Sequence, residues 1–384
     1  MPAAVETYDC IVLGVGGFGS GTLYNLARQG VRALGIEQFD VAHDRGSSHG
    51  ETRIIRKAYF EHPDYVPLLV RAYELWNELQ SETAQKLAHL CGLFLVGPAD
   101  GEAVPGAEES ARRYGVPLER VPTVDAARRF PGFQFPSAMD VVHEPEAGYL
   151  LVEDCVRAHV HRAVALGATL KTGESVTEWS SDGNTVRVGT DRAQYEAATL
   201  VITAGPWSAP VLNDLSVPLK VVRKPHFWYE VTTDQYNADR SPAWLFEMPT
   251  GVFYGFPSVD GNIIKSADHS GGEEVADPSH LDRQIRDEDH RPVDDFLSQS
   301  LPGVNPTPVR DGMCMYTHTA DGHFIIDHHP QFPNVVIGAG FSGHGFKFTT
   351  VLGQALSDLA IDGQTDLPID FLSLGRDALK SEPT

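Results

Sequence analysis

The segment YDCIVLGVGGFGSGTLYNLARQGVRALGIEQFD, residues 8–40, constrains the fold more than any other stretch of this chain. Residues 9–13 form an apolar run ending at Gly14, the spacing Gly14-x-Gly16-x-x-Gly19 follows, and Leu23, Leu26 and Ala27 continue at helical spacing. A second apolar run, 31–36, ends at Glu37, 18 residues beyond Gly19. Strand, glycine turn, helix, strand is the order in which a dinucleotide-binding fold begins, and an acid closing the second strand can accept hydrogen bonds from an adenosine ribose. The glycines have separate tasks: a tight turn, close approach of backbone to a pyrophosphate, and close packing of helix on strand. The helix N-terminus meanwhile offers unpaired N–H groups to the anion. The motif does not choose between NAD and FAD, since both present adenosine diphosphate to such a turn.

At 384 residues the chain exceeds the size at which one hydrophobic core stops growing, so two interwoven domains are expected. Lys and Arg total 30 against 52 Asp and Glu, and the net charge of -22 repels nucleic acid and anionic lipid surfaces. The cysteines, at 10, 91, 155 and 314, have no CxxC pairing and no metal-ligand spacing. They suggest neither a disulfide framework nor a metal site, and a reducing cytoplasm suits them. No run approaches 18 apolar residues and no leader pattern opens the chain, so a protein free of membranes is expected.

Further along, Val66, Leu69, Val70, Tyr73, Trp76 and Leu79 share one helical stripe, 91–97 reads as a strand and 149–166 as a helix. Residues 168–190 read as short strands turning at Asp182-Gly183, and 199–207 as an apolar strand ending on Ala-Gly-Pro. From 218 to 265 four aromatic-rich strands suggest an antiparallel sheet, followed by loop and helix over 270–298. The run NVVIGAG and a helix after FSGHGFKF restore strand-to-helix character near the C-terminus. In MCMYTHTADGHFIID, Cys314 reads either as a small hydrophobe in a buried strand or as a thiol bonded to a cofactor. Arg53 and Arg56, three apart among branched apolar residues, need an anion if they are buried.

Through GSSHGETRIIRKAY, TAGPW, CMYTHTADGHFIID and AGFSGHGFKF the chain resembles the monomeric sarcosine oxidase family. This branch of the D-amino-acid-oxidase-like flavoproteins includes N-methyltryptophan oxidase and pipecolate/sarcosine oxidase. The resemblance implies an α/β fold, with a Rossmann-like FAD-binding domain interwoven with an antiparallel-sheet substrate-binding domain. The FAD domain would comprise 1–85, 150–215 and 312–384, and the substrate domain 86–149 and 216–311. It implies FAD, carried on Cys314 by a thioether to the 8α-methyl, with Gly14, Gly16, Gly19, Glu37, His49, Gly343 and Lys347 on the cofactor. Arg56 and Lys347 would grip the substrate carboxylate, Tyr254 and Tyr316 would line the substrate pocket, and Lys265, Arg53 and His269 would take part in catalysis. Lys265 is the family position credited with activating oxygen. The activity implied is oxidation of a secondary amino acid to an imine with oxygen as acceptor and hydrogen peroxide as product, by a monomer. A dehydrogenase using another acceptor, and a non-catalytic flavin module, are the alternatives. Sarcosine, pipecolate, proline and N-methyltryptophan all stay open as substrates.

Overall fold

The computed structural model describes residues 5–215 and 217–380. The chain opens with β1 (Glu6–Leu13), α1 (Gly17–Arg28) and β2 (Ala33–Ile36). The strands run parallel, Cys10 opposite Ala33 and Leu13 opposite Ile36. They are buried on both faces, which is why they read as continuous apolar runs. Next come β3 (Thr52–Ile55), α2 (Val66–Thr83), α3 (Val152–Ala165) and β4 (Gln194–Ile202). The strand β4 returns parallel to β1, with Leu13 opposite Ile202, so the tips of β1, β2 and β4 end together.

After β4 come β5 (Lys220–Val231), β6 (Ala243–Met248), β7 (Gly251–Phe256), β8 (Ile263–Asp268), α4 (Asp287–Ser300) and β9 (Val304–His318). The chain then reaches β10 (Val335–Ala339) and α5 (Thr349–Asp362). Two large sheets result. One has eight strands and is built around β2, β1 and β4. The far edge of β4 is shared, its first half by strand Val186–Thr190 and its second half by β10. The other sheet has nine strands and runs β9, β5, β8, β7, β6, then Leu93–Gly97 and beyond. Its pairings are antiparallel except for Leu93–Gly97 beside β6.

A core of Phe94, Phe227, Tyr229, Trp244, Phe246 and Phe253 packs the nine-stranded sheet under α4. A larger core joins α1, α2, α3 and α5 on one face of the eight-stranded sheet. The helix expected over 149–166 begins only at Val152, because Gly148–Leu151 pairs with β3, Arg53 opposite Leu150. The strand expected over 199–207 lies at 194–202, since Gly205 at φ +56 followed by Pro206 turns the chain into a 3-10 turn. Among the described residues no helix is long and apolar enough to cross a membrane.

Candidate active site

A single cavity of about 570 Å³ runs from the turn after β1 to the start of α5. At its first end, Gly14 adopts φ +84, and a Cβ there would lie 2.6 Å from the Thr203 carbonyl oxygen. A Cβ at Gly19 would collide with the Gly14 carbonyl, whereas one at Gly16 would meet nothing within 4 Å and would project into open space. Two of the glycines therefore pack the turn against its neighbours and the third clears the cavity wall. Helix α1 starts with no side-chain cap at Gly16 and no acid in its first turn; Gly17 N donates to Ser48 Oγ at 3.2 Å, and the helix's positive end faces that wall. Glu37, buried at the end of β2, accepts from Val15 N at 2.8 Å and Phe39 N at 3.0 Å, holding the turn against the strand end. In the cavity lining, Thr317 Oγ1 is buried without a partner among the described residues. A helix N-terminus without an acid in its first turn, a cleared glycine, a strand-end acid and an orphaned hydroxyl fit an adenosine-diphosphate cofactor.

Cys314 lies in β9 and is 2% exposed. Its Sγ donates to the Ser47 carbonyl at 3.4 Å, and Arg53 Nη2 lies 3.4 Å from the sulfur. Arg53, on β3, also donates to the Thr52 and Ser47 carbonyls, both at 2.9 Å. Ser47, Arg53, Met315 and Tyr316 line the cavity, while Cys314 sits immediately behind them. A guanidinium beside a sulfur stabilises its anion, the form that acts as a nucleophile. The other thiols lack such a neighbour, and burial pushes Cys10 up to about 12 and Cys91 to about 11.

At the other end two cations meet one acid. Arg56 is 3% exposed and lies over the rings of Tyr59 and Phe60 at 4.3 and 4.2 Å; its Nη2 donates to both Glu61 carboxylate oxygens, at 2.6 and 2.7 Å, while Nη1 donates to the Ala58 carbonyl at 3.2 Å. Lys347 Nζ donates to the His344 carbonyl at 2.7 Å; burial and then Arg56 pull its ammonium down to about 7. Burial alone would raise the Glu61 carboxyl, but Arg56, with help from His344 and Lys347, outweighs it and holds it at about 2. His344 is fixed as the neutral ring: Nε2 faces the Gly322 carbonyl at 3.0 Å and must carry the proton, so Nδ1 accepts from Tyr59 OH at 2.5 Å. Burial keeps it neutral, at about 4.

Between the two ends, Tyr254, His269 and Tyr316 form an aromatic wall, with His269 Nδ1 3.2 Å from Tyr316 OH. Burial, with Lys224 nearby, pulls His269 down to about 3, so the ring is neutral. Lys265 stands behind this wall. Its Nζ donates to the carbonyls of Gly50 and Thr52 and lies over the rings of Phe256 and Trp228 at 5.3 and 5.7 Å. Burial first, then Arg53, draws its ammonium well below the usual lysine value. The turn it grips is strained, with Gly50 at φ +89 and Glu51 at φ +70. The amides of both residues donate to Glu153, at the first turn of α3, while the Glu51 carboxylate accepts from Trp228 Nε1 at 2.8 Å and Arg310 at 2.6 Å. His49 is buried beside this turn, its Nε2 without a partner among the described residues.

Of the residues singled out from the sequence, Gly14, Gly16, Glu37, Arg53, Arg56, Tyr254, His269, Tyr316, Gly343 and Lys347 face the one cavity. Gly19, His49, Lys265 and Cys314 lie in the layer behind it. Sequence reasoning missed Glu61, whose only trace is an acid following the Tyr59-Phe60 pair, and His344, which stands inside the quoted FSGHGFKF.

A family model described as FAD dependent oxidoreductase (DAO) matches residues 9–359. The chain is 39% identical over 381 residues to the monomeric sarcosine oxidase of Bacillus sp. (strain NS-129), covering 98% of each chain. It is 35% identical over 373 residues to the N-methyl-L-tryptophan oxidase of Yersinia pestis (strain Pestoides F), covering 96% of this chain and 99% of that one. The solved structure of NikD, an unusual amino acid oxidase essential for nikkomycin biosynthesis, superposes with a TM-score of 0.86 at 26% identity, over 96% of this chain and 98% of that chain. The glycine turn, the cavity and these similarities agree: the chain belongs to the DAO family of FAD-dependent oxidoreductases.

Proposed function

We propose that this protein is a FAD-dependent oxidase of small secondary amino acids, acting on sarcosine or a related N-methyl or cyclic amino acid, with the flavin attached through Cys314. The observation that supports it most is the pair of buried cations, Arg56 and Lys347, at one end of a cavity whose other end is the glycine turn. FAD, when bound, would supply the acceptor for a hydride equivalent from the carbon beside the amine, and oxygen, reduced to hydrogen peroxide, would be the final acceptor.

The chain's own residues bind and orient. The Arg56 fork suits a carboxylate because two parallel N–H groups fix its position and plane, and Lys347 adds a second, rotatable donor. An incoming carboxylate competes with Glu61 for the Arg56 guanidinium, whose Nη2 holds both Glu61 oxygens. The neutral His269 ring offers the substrate amine no cation to repel it. Lys265, held by two carbonyls, is the positive group assigned to the reaction with oxygen.

The proposal includes the division into FAD segments 1–85, 150–215 and 312–384 and substrate segments 86–149 and 216–311, with β9 running across the last boundary. It also includes a monomeric form and a cytoplasmic location, in keeping with four free cysteines. The test is a panel of N-methyl and cyclic amino acids given to the yellow protein, read anaerobically for flavin bleaching and aerobically for peroxide. Bleaching by at least one member with stoichiometric peroxide is expected. A flavin that none of them bleaches would overturn the reading, and bleaching without peroxide would make the protein a dehydrogenase.

A further inference from the structure

Between strand residue Glu274 and α4 the chain has one 3-10 turn, Pro278–His280, and otherwise no regular structure. From this stretch Arg283 reaches back across the molecule. One of its terminal nitrogens donates to the carbonyls of Asp44 and Met313, both at 3.1 Å, and the other to the Arg45 carbonyl at 2.9 Å. These three main-chain oxygens belong to two different segments, the connection before β3 and strand β9. An arginine so used is a clamp: its planar fork fixes the distance between the two segments, whereas an ion pair would tie it to one flexible side chain.

The clamped segments meet at Cys314. Beside the Arg283 bonds, Ser47 Oγ donates to the Met315 carbonyl at 2.7 Å, and the Cys314 thiol to the Ser47 carbonyl at 3.4 Å. The Ser47 carbonyl also takes the Arg53 bond, so the cation nearest the sulfur is anchored on the same clamped segment. Ala42, His43, Gly46, Ser47 and Ser48 form part of the cavity wall. Arg283 thus sets the spacing between a wall of the cofactor cavity and the strand that carries the thiol. It touches neither the Gly14 to Gly19 turn nor the backbone bonds of Glu37.

We infer that Arg283 is a positioning residue for covalent attachment of the flavin, an inference that rests on the reading of Cys314 as the attachment point. In the attachment the Cys314 S–H bond and one C–H bond of the 8α-methyl break and a C–S bond forms. The two hydrogens, with their electrons, reduce one dioxygen to hydrogen peroxide. The sulfur must stand at one place relative to the wall that holds the ring. Without the clamp, residues 44–47 keep only the Ser47 bonds to β9, and the acceptor of the thiol proton and the anchor of Arg53 lose their fixed place beside the sulfur.

The test follows attachment rather than turnover. Full-length chain expressed without flavin is mixed with FAD in air, and covalent flavin is read over time as fluorescence in acid-precipitated protein and as added mass on the intact chain. Non-covalent FAD affinity is read by flavin fluorescence quenching under nitrogen. Parent, Arg283→Met, Arg283→Lys and Cys314→Ser are compared. Arg283→Met should bind FAD with the parent affinity and attach it at least tenfold more slowly. Arg283→Lys should fall between, because an ammonium cannot span all three carbonyls, and Cys314→Ser should attach none. Attachment by Arg283→Met at the parent rate removes the clamp while leaving Cys314 in place. Affinity and attachment falling in proportion would make Arg283 a general structural residue and also overturn the inference. A parent that carries no flavin after denaturation removes Cys314, and the clamp's role falls with it.

Discussion

Replacing Arg56 by Met keeps most of the side chain's apolar volume over Tyr59 and Phe60 but leaves Glu61 without its guanidinium partner. The Glu61 side chain is only 17% exposed, so solvent cannot take the place of the guanidinium. Its carboxyl is held at about 2 against an ordinary 4.5, and at ~1.4 kcal/mol per unit the surrounding cations stabilise the anion by ~3 kcal/mol. That agrees with the 3–5 kcal/mol typical of breaking a buried pair from one side. The sign follows from the depressed value. The contribution is complete above the unfolded value near 4.5 and is lost as pH falls toward 2. Arg56→Met should therefore melt lower than the parent by on the order of 4 °C at pH 7.5, given a chain longer than the 150–250 residues for which 2–4 °C per kcal/mol holds. The gap should narrow as pH is lowered through the range where the stranded Glu61 protonates, and adding Glu61→Gln to the variant should recover much of the loss at pH 7.5. Calorimetric melts of the three proteins at pH 7.5 and 4.5 measure this. A pH-independent gap, or no gap at pH 7.5, would refute the account of the Arg56–Glu61 pair.

Gly16→Ala should fold with near-parent stability and lose FAD affinity, because its Cβ enters the open cavity, whereas Gly19→Ala should yield little folded protein because its Cβ collides with the Gly14 carbonyl; soluble yield and FAD titration separate the two. Lys265→Met should leave anaerobic flavin reduction largely intact while slowing reoxidation, and stopped-flow rates equal to the parent in both halves would return Lys265 to a structural role. With Lys347 near 7, the KM for a carboxylate substrate should rise as pH climbs from 6 to 8.5 and the ammonium is lost. In Lys347→Met that rise should be absent, and an equal slope in both proteins would assign the titration to another group.

The dinucleotide turn was legible because everything that makes it is local: strand, glycine spacing, helix and acid fall within residues 9–37. Arg56 and Lys347 come from opposite ends of the chain, and no periodicity could have joined them; only likeness to a family did. Glu61 escaped because it lies five residues past Arg56 on a segment that folds back after β3, a spacing that matches neither helix nor strand. Residues 149–151 read as the start of a helix because their apolar side chains suit either period and the strand's partner, β3, is remote. Arg283 stands in LDRQIRDED, where its acidic neighbours advertise an ion pair, yet its acceptors are backbone carbonyls, which leave no mark in a side-chain pattern.

The strained turn at Gly50 and Glu51 limits how the protein could be re-engineered. A side chain at Gly50 would place its Cβ 2.5 Å from His226 Nε2, at a φ that L-residues rarely adopt. A non-glycine residue held at positive φ, as Glu51 is, persists only where its surroundings over-determine it. Here those surroundings are Glu153 from α3, Trp228 from β5, Arg310 from β9 and the Lys265 ammonium from β8. The position of that ammonium is thus encoded jointly by three strands of the nine-stranded sheet, helix α3 and the turn itself. Deleting the charge takes one substitution, but relocating it by a few ångströms means redesigning five segments at once, so a laboratory search through single substitutions can tune or extinguish the lysine and has no path along which to move it.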